Sequence, residues 1–464
     1  MKSRLFGYAV IAVAAMGGGC DSDPDTKIVF DTECEYIVKN GLDIDPDGTD
    51  ESFGFTVYGD GAPRIEIKES PEYDSQWLRA SCRVENGHGV LGISCSENEG
   101  FDKRTARINV RIGDGAFGID VSQKAFPHAE TTLGAVTVVE CKASKKDITF
   151  RANGTLRISF NYDTPGWVEH TQRQDGDQTV VSLDFSENTG LGRVAVMNTE
   201  VDGKRVATYL FRQLPAEFGE TVDVPNIDPG ELPVLLGDDM TNLGRIRNLW
   251  LQGTVNSLDL HFLRSLGSND TDNPLAIDMA DTRIVAGREC HYKALTPENI
   301  GDIPMGHNNE LPDYQFEDFH NLTSLRLPET LETIGSGCFR NCISLAYLKI
   351  PESVTTIWHS PFAGCKAMKE IEVGEESMLT TIYDGSFTTP GRLHRLELPA
   401  SLVNIEGEAF FGCKTDSLFL HWDKPPIVKV TPRYRGCILF VPEGTADLYR
   451  TAPGWNKFET IKEF

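Results

Sequence analysis

The chain lacks the short motifs that mark most catalytic centres. It contains no HExxH, CxxC or G-x-S-x-G sequence, and its ten histidines are scattered singly. Cys290 and His291 are adjacent and could supply a nucleophile and a base, but such a lone pair is more typical of structural residues. Paired carboxylates are uninformative among 69 acidic residues. We therefore predict a protein that is not an enzyme and has no cofactor.

Basic residues are also scarce, with 44 Lys and Arg against 69 Asp and Glu, for a formal charge of −25. This balance argues against nucleic acid or an anionic bilayer surface as a partner, because both require clustered positive charge. Long apolar runs are missing as well. The most apolar segment, Leu5–Met16, has twelve residues, which is too short to span a bilayer.

The N-terminal 20 residues have the features of an export signal. Lys2 and Arg4 precede the apolar run, and three glycines lead to Cys20. A cysteine after small residues resembles the bacterial lipoprotein box, which implies cleavage before Cys20 and acylation of its thiol. Secretion with an unmodified Cys20 is the alternative.

Residues 21–27 begin with an acidic stretch, DSDPD. It resembles the tether that carries lipoproteins of Bacteroidetes to the outer face of the outer membrane, although such charge runs are usually solvated linkers. We expect a lipid-anchored protein of the outer membrane that faces the extracellular side.

Residues 28–126 and 127–214 read as two copies of one unit. Several residues recur 90 positions apart, and short alternating runs broken by Gly, Asn and Asp predict two antiparallel β-sandwiches. The G-x-G-x-x-G sequence at 113–118 joins two such runs, so it predicts a hairpin turn and not a nucleotide-binding loop. The recurring residues are Trp77 and Trp167, Ser96-Glu97-Asn98 and Ser186-Glu187-Asn188, and Gln123 and Gln213.

An early Trp, an acidic-Asn turn, an Arg-led strand and a last strand ending in Gln resemble BACON domains. This resemblance implies small immunoglobulin-like sandwiches that bind carbohydrate or mucin, or act as spacers. Within it, Trp77 and Trp167 are expected in the two cores, because both copies keep them at one position.

One acidic turn resembles part of a calcium loop. Asp43, Asp45 and Asp47 alternate before Gly48, as in the first half of an EF-hand. The twelfth position should be Glu and is Gly54, and strand-like segments flank the turn. An ordinary acidic turn in a sandwich is the alternative to a calcium site at these three residues.

Four copies of one pattern occupy Leu322–Thr415. Apolar columns recur with steps of 23 to 25 residues, and this period is typical of a stacked solenoid in which each rung covers the apolar face of its neighbour. Two additional residues near Glu375 and Glu376 lengthen the third rung. The columns are Leu325, Leu348, Ile371 and Leu396; Phe339, Phe362, Phe387 and Phe410; and Cys342, Cys365, Pro390 and Cys413.

The rungs, with Leu-Pro after the first strand and F-x-x-C at the turn, resemble BspA-type leucine-rich repeats. The resemblance covers 235–464, including irregular first rungs and a C-terminal cap, and follows a Pro-rich segment at 215–234 that predicts a linker. It implies a bacterial surface protein that adheres to host matrix proteins or to other bacteria.

Candidate ligand-binding residues lie in the repeats. Trp358 and Tyr383 occupy a position where neighbouring rungs have Gly335 and Glu406, and two rings on adjacent rungs would form an aromatic strip. The rings could instead fold back onto the wall. Exposed positions of the first strands add a second group, which comprises Arg326, Tyr347, Lys349 and Arg395.

These features predict a mainly β fold, with two immunoglobulin-like sandwiches followed by a capped leucine-rich-repeat solenoid. The predicted function is non-enzymatic binding of host or bacterial surface proteins through the repeat face. A glycan-binding lipoprotein of a polysaccharide-capture system is the alternative.

Overall fold

The computed structural model describes residues 26–69, 77–161, 166–267, 272–296, 300–389, 391–429, 431 and 435–464. The predicted signal segment with Cys20, the acidic residues 21–25 and Pro390 lie outside these ranges. Within them, no helix combines the length and the apolar character needed to cross a bilayer.

The first domain is a sandwich of two four-stranded sheets. Its core is built from inward-facing residues of both sheets, including Phe55, Leu91 and Ile108. The helix Thr32–Asn40, which the sequence pattern did not predict, begins where Asp31 accepts a hydrogen bond from the Cys34 amide at 2.9 Å. In spatial order the sheets are Lys27–Phe30, Thr49–Tyr58, His88–Cys95 and Leu78–Glu85; and Leu42–Ile44, Gly115–Gln123, Arg104–Ile112 and Pro63–Glu69.

The second domain repeats this design. Alternating residues such as Phe150, Leu183 and Phe211 face its core. Two sandwiches are therefore present, as the 90-residue correspondences predict. The sheets are Val136–Val139, Lys204–Gln213, Arg193–Val201 and Leu156–Phe160; and Val168–Asp175, Gln178–Phe185, Ser144–Ala152 and Ala129–Glu130.

The C-terminal part is a solenoid of parallel strands with two walls. One wall, here called the outer face, contains the first strand of each rung. Its strands are Thr221–Ile227, Asn248–Val255, Leu275–Asp278 and Leu322–Arg326, with Thr282–Ile284 beside the second, followed by Tyr347–Ile350, Glu370–Val373, Leu393–Leu398, Thr415–Leu420, Ile438–Val441 and Thr460–Glu463.

The second wall consists of two-residue strands. Each pairs in parallel with the equivalent strand of the next rung. These strands are Glu310–Leu311, Thr333–Ile334, Thr356–Ile357, Thr381–Ile382 and Asn404–Ile405. Helices cover the ends of the solenoid or connect rungs: Leu232–Leu236, Met240–Leu243, Ser257–Ser265 and Ala446–Thr451, with 3₁₀ turns at Lys293–Leu295, Ile300–Asp302 and Trp455–Lys457.

The interior between the two walls is dry. The predicted Leu and Phe columns are buried, with exposures of 0–4 %. Phe339 stacks on Phe362 with ring centroids 5.6 Å apart and planes within 9°. The Cys365 thiol donates a hydrogen bond to the Phe339 carbonyl at 3.0 Å. Because neighbouring rungs cover one another in this way, the predicted solenoid is confirmed.

The predicted linker at 215–234 is wrong for most of its length. Thr221–Ile227 pairs in parallel with Asn248–Val255 and forms the first strand of the outer face. Val224 and Leu232 are fully buried in the solenoid core. The strand alternates polar and buried residues because one side of the outer face is exposed. This alternation and the nearby prolines made the segment resemble a linker in the sequence. The solenoid therefore begins before residue 235.

Candidate binding surfaces

Trp358 and Tyr383 form an aromatic stack on the second wall of the solenoid. The Trp358 amide donates to the Ile334 carbonyl at 2.9 Å, and the Tyr383 amide donates to the Ile357 carbonyl at 3.2 Å. These rung-to-rung hydrogen bonds bring the rings face to face, with centroids 4.3 Å apart and planes within 4°. The adjacent-rung strip predicted from the repeat spacing is thus present, and both rings are half-buried.

Stacking leaves each ring with only one face that the other does not cover. On the Trp358 side, the equivalent position of the preceding rung is Gly335, which has no side chain to extend over the indole. A Cβ at Gly335 would lie 2.6 Å from the Asp313 amide nitrogen, so close backbone packing requires glycine there. On the other side, the equivalent residue is Glu406. The stack is therefore flanked by Gly335 on one side and Glu406 on the other, and the His359 ring packs against both of its rings.

The second predicted group lies on the outer face, away from the stack. Its four side chains are exposed, and each has an acidic partner. The structure places the two groups on different walls of the solenoid. The pairs are Arg326 Nη1 with Asp278 Oδ2 at 2.7 Å, Lys349 Nζ with Glu372 Oε1 at 3.8 Å, Arg395 Nη2 with Glu397 Oε2 at 2.6 Å, and the Tyr347 hydroxyl with Glu372.

The outer face carries further aromatic residues that sequence reasoning missed. Trp250 is 51 % exposed and lies between Asp223 and Asp278 on the neighbouring strands. At the other end, Phe419 and Phe440 stack at 4.3 Å with planes within 1°. Extending the column of Arg326, Lys349, Glu372 and Glu397 beyond Thr415 would have found both phenylalanines, which follow Leu418 and Leu439.

Two candidate groups have raised pKa values. Burial, followed by the hydrogen bond to Glu372, raises the pKa of the Tyr347 phenol to about 12, so the hydroxyl remains a donor at neutral pH. Burial likewise raises the pKa of the Cys290 thiol to about 11. Activated thiols have lowered values, so this shift opposes nucleophilic catalysis at Cys290–His291.

The three aspartates of the predicted acidic turn lie at the surface of the first sandwich. Asp43, Asp45 and Asp47 are exposed, and they do not form a group of three ligand atoms within 4.8 Å of one another. Asp45 instead accepts a hydrogen bond from Lys124 Nζ at 3.1 Å. Its carbonyl accepts from the Gly48 amide, so the segment is a β-turn and the alternative reading is supported.

The recurring residues of the two sandwiches have a structural role. Trp167 is 5 % exposed, and the Arg193 guanidinium lies 4.4 Å from its ring centroid. Arg193 Nε donates to Gln213 Oε1 at 2.8 Å, and Gln213 Nε2 donates to the Ser186 carbonyl. Both Trp residues are therefore core residues, as expected. The first sandwich repeats the arrangement with Trp77, Arg104, Gln123 and Ser96.

A cavity of about 610 Å³ lies where the second sandwich meets the first helix of the solenoid. Trp167, Arg193, Glu231 and Tyr292 line it. Burial, and then the neighbouring Asp228, raise the pKa of the Glu231 carboxyl. Arg193, in the cavity wall, already donates hydrogen bonds to Gln213 and Ser186. The cavity is thus lined by residues that belong to the packing of the domain junction.

The fold is that of a modular, mainly β protein. Comparison with family models makes the class specific. Residues 309–423 are a BspA type leucine-rich-repeat region in six copies, and residues 67–124 are a BACON domain, described as a putative binding domain. Such modules are typically non-catalytic and suggest protein or glycan binding.

A comparison with curated proteins gives no match. Among solved structures, the titin I-band fragment I67–I69 is 9 % identical, covers 40 % of this chain and 68 % of its own length, and has a TM-score of 0.26. The first two immunoglobulin domains of DIP-gamma are 10 % identical over 42 % of this chain and 100 % of theirs, at 0.28. These scores are too low to carry a functional argument.

Proposed function

We propose that the protein is a non-enzymatic, adhesin-like binding protein that recognises host or bacterial surface proteins through the outer face. The observation that carries this proposal is the exposure of large aromatic side chains among ion pairs along one wall of parallel strands. Trp250 is 51 % and Tyr347 is 44 % exposed, and Phe419 and Phe440 continue the surface. Aromatic anchors surrounded by charged groups are typical of protein interfaces.

The alternating charges on the same wall support a protein partner. Arg326 and Lys349 belong to adjacent rungs, each close to a carboxylate. Exposed pairs of this kind contribute only about 0–1 kcal/mol to stability. A partner with complementary charges can therefore replace these intramolecular ion pairs with intermolecular ones at a low cost in free energy. The pattern of charges would also select the orientation in which the partner binds.

Glycan capture is the second candidate, and the stack of Trp358 and Tyr383 favours it. The indole face towards Gly335 has no side chain from that position over it. His359 and Asp384 lie beside the rings, with Nδ1 and Oδ2 3.8 Å apart. An aromatic face bordered by hydrogen-bonding groups suits the apolar side and the hydroxyls of a pyranose.

Two matched double variants separate these candidates. Trp250→Ala with Tyr347→Ala removes the two most exposed aromatic side chains of the outer-face group, and Trp358→Ala with Tyr383→Ala removes the stack. We expect the first variant to weaken binding to immobilised matrix and bacterial surface proteins at least about tenfold, since interface aromatics commonly contribute 2 kcal/mol or more. The second variant should bind these proteins like the wild type.

The reverse result on a glycan array, with binding lost only when the stack is removed, would establish glycan capture instead. Full binding by both variants on both panels would exclude a role for either surface. Circular dichroism of each variant checks that the fold is intact.

We further propose that acylated Cys20 anchors the protein to the outer membrane, with the two sandwiches as a spacer. The export-like residues 1–20 support this placement. Cells producing the protein should incorporate labelled palmitate into it, and Cys20→Ala should abolish incorporation and release the protein from the membrane fraction. Unchanged labelling of that variant would contradict the anchor.

A further inference from the structure

Three side chains that could bind a metal converge at one edge of the outer face, beyond the function proposed above. Oxygen atoms of Glu375 and Glu397 and a ring nitrogen of His421 all lie within 4.8 Å of one another. Glu397 Oε1 and His421 Nε2 are 2.7 Å apart. In the described part of the chain, this is the sole cluster of three or more His, Cys, Asp or Glu with that spacing.

The cluster forms where the repeat pattern breaks. Rungs one, two and four of the repeat have proline after the first strand, at Pro328, Pro351 and Pro399, whereas rung three has Gly374. The next strand, Thr415–Leu420, begins a fifth rung and is followed by His421. Rung three also contains the two additional residues near Glu375 and Glu376, and Glu375 follows Gly374 directly. These two departures from the repeat, at Gly374–Glu375 and at His421, therefore flank rung four, which contributes Glu397.

Neighbouring residues hold two of the three groups in place. Arg395 donates to Glu397 Oε2 from Nε at 3.1 Å and from Nη2 at 2.6 Å, which leaves Oε1 directed at His421. The Phe464 ring packs edge-on against the imidazole with centroids 5.1 Å apart. Ligands oriented by such partners are typical of metal sites.

The charge of the cluster is incompletely balanced. Glu397 has Arg395 as its partner, but Glu375 has no ion-pair partner among the residues that the structure describes. Carboxylates held together without enough cations repel one another. A divalent cation between Glu375 and Glu397 would remove this repulsion.

We propose that Glu375, Glu397 and His421 bind a divalent transition-metal ion, for which Zn²⁺ is the probe. One imidazole and two carboxylates suit zinc, which takes three protein ligands and water at an open site. Calcium prefers oxygen ligands alone and does not account for the histidine. Because zinc bonds are about 2.0–2.2 Å long, the side chains must close by a small movement around the ion. The ion would join rungs three, four and five.

The test is zinc titration of the chelator-treated protein by calorimetry at pH 7. The wild type should bind one equivalent, and its melting temperature should rise with zinc. His421→Ala and Glu375→Gln should each lose both effects. His394→Ala is the matched control, because His394 is exposed on the strand that contains Glu397 but lies outside the cluster.

Failure of the wild type to take up a saturable equivalent would overturn the proposal. So would unchanged uptake in either His421→Ala or Glu375→Gln. Glu375 is exposed in a turn, so its substitution tests the site without depending on the packing between His421 and Phe464. The surface-protein binding proposed above is measured separately and can fail or succeed independently of zinc uptake.

Discussion

Phe410→Ala is expected to lower the free energy of unfolding of the solenoid by about 3–5 kcal/mol, the usual cost of removing a buried Phe side chain. Phe410 is 1 % exposed and stacks on Phe387 with centroids 6.4 Å apart. Its ring packs between its own rung and the rung that contains Phe387, so the cavity cannot close without moving the backbone of a neighbour.

Phe411 provides a control with the same chemistry at the next position. It is 60 % exposed, and Phe411→Ala should change the free energy of unfolding by less than about 0.5 kcal/mol, as surface substitutions usually do. Urea denaturation of the whole protein, followed by circular dichroism, measures both. Equal shifts in the two variants would mean that the Phe column does not form the interior of the solenoid.

Asp259→Asn is expected to destabilise the N-terminal end of the solenoid by about 1–3 kcal/mol, the typical cost of leaving a buried donor without an acceptor. Asp259 is 0 % exposed. Its Oδ2 accepts from the amides of Gly230 at 2.6 Å and Asn256 at 2.8 Å, and its Oδ1 accepts from the Leu232 amide at 2.9 Å. Asn replaces one acceptor oxygen with an NH₂ group that faces another donor.

The pH dependence of this variant provides a second, specific readout. Burial, against the opposing hydrogen bonds from backbone amides, raises the pKa of the Asp259 carboxyl from 3.8 to about 6. A raised folded-state pKa means that the stabilising contribution of this group is complete below pH 4 and is lost as the pH rises through about 6. The stability difference between wild type and Asp259→Asn should therefore increase as the pH falls from 7 to 4.

Asp281→Asn is the control for this pair of measurements. Asp281 is exposed, so its substitution should have little effect on stability at any pH. A stability difference for Asp259→Asn that is small and does not vary with pH would show that the carboxylate does not hold the 230–232 segment. Denaturation at several pH values between 4 and 7 decides this.

The repeat columns show which parts of the fold can be predicted from the sequence. A column of Phe or Leu at a fixed step has one packing solution, because each rung exposes an apolar face that its neighbour must cover. The same reasoning applies to Trp77 and Trp167. Prediction was wrong at Thr221–Ile227, where the alternation of a half-exposed strand in a Pro-rich segment resembles a linker. Edge rungs have no second copy to align, so periodicity cannot reveal them.

The binding surfaces can likewise be predicted only in part from the sequence. Repeat spacing alone places Trp358 next to Tyr383, because equivalent positions on adjacent rungs must lie within one strand spacing. Whether rings there lie side by side or face to face depends on side-chain rotamers and on the space left by Gly335, which sequence does not state. The exposed Trp250 and the stack of Phe419 and Phe440 lie beyond the regular rungs.

The sequence by itself determined the solenoid, the two sandwiches and the buried columns, because these follow from the periodic burial of apolar side chains. Only the tertiary structure decided how the irregular residues meet: the face-to-face stacking of Trp358 and Tyr383, the pairing of Arg326 with Asp278, and the approach of Glu375 to His421 across three rungs. The physical reason is that burial repeats with the chain period, whereas these contacts depend on where irregular residues interrupt it.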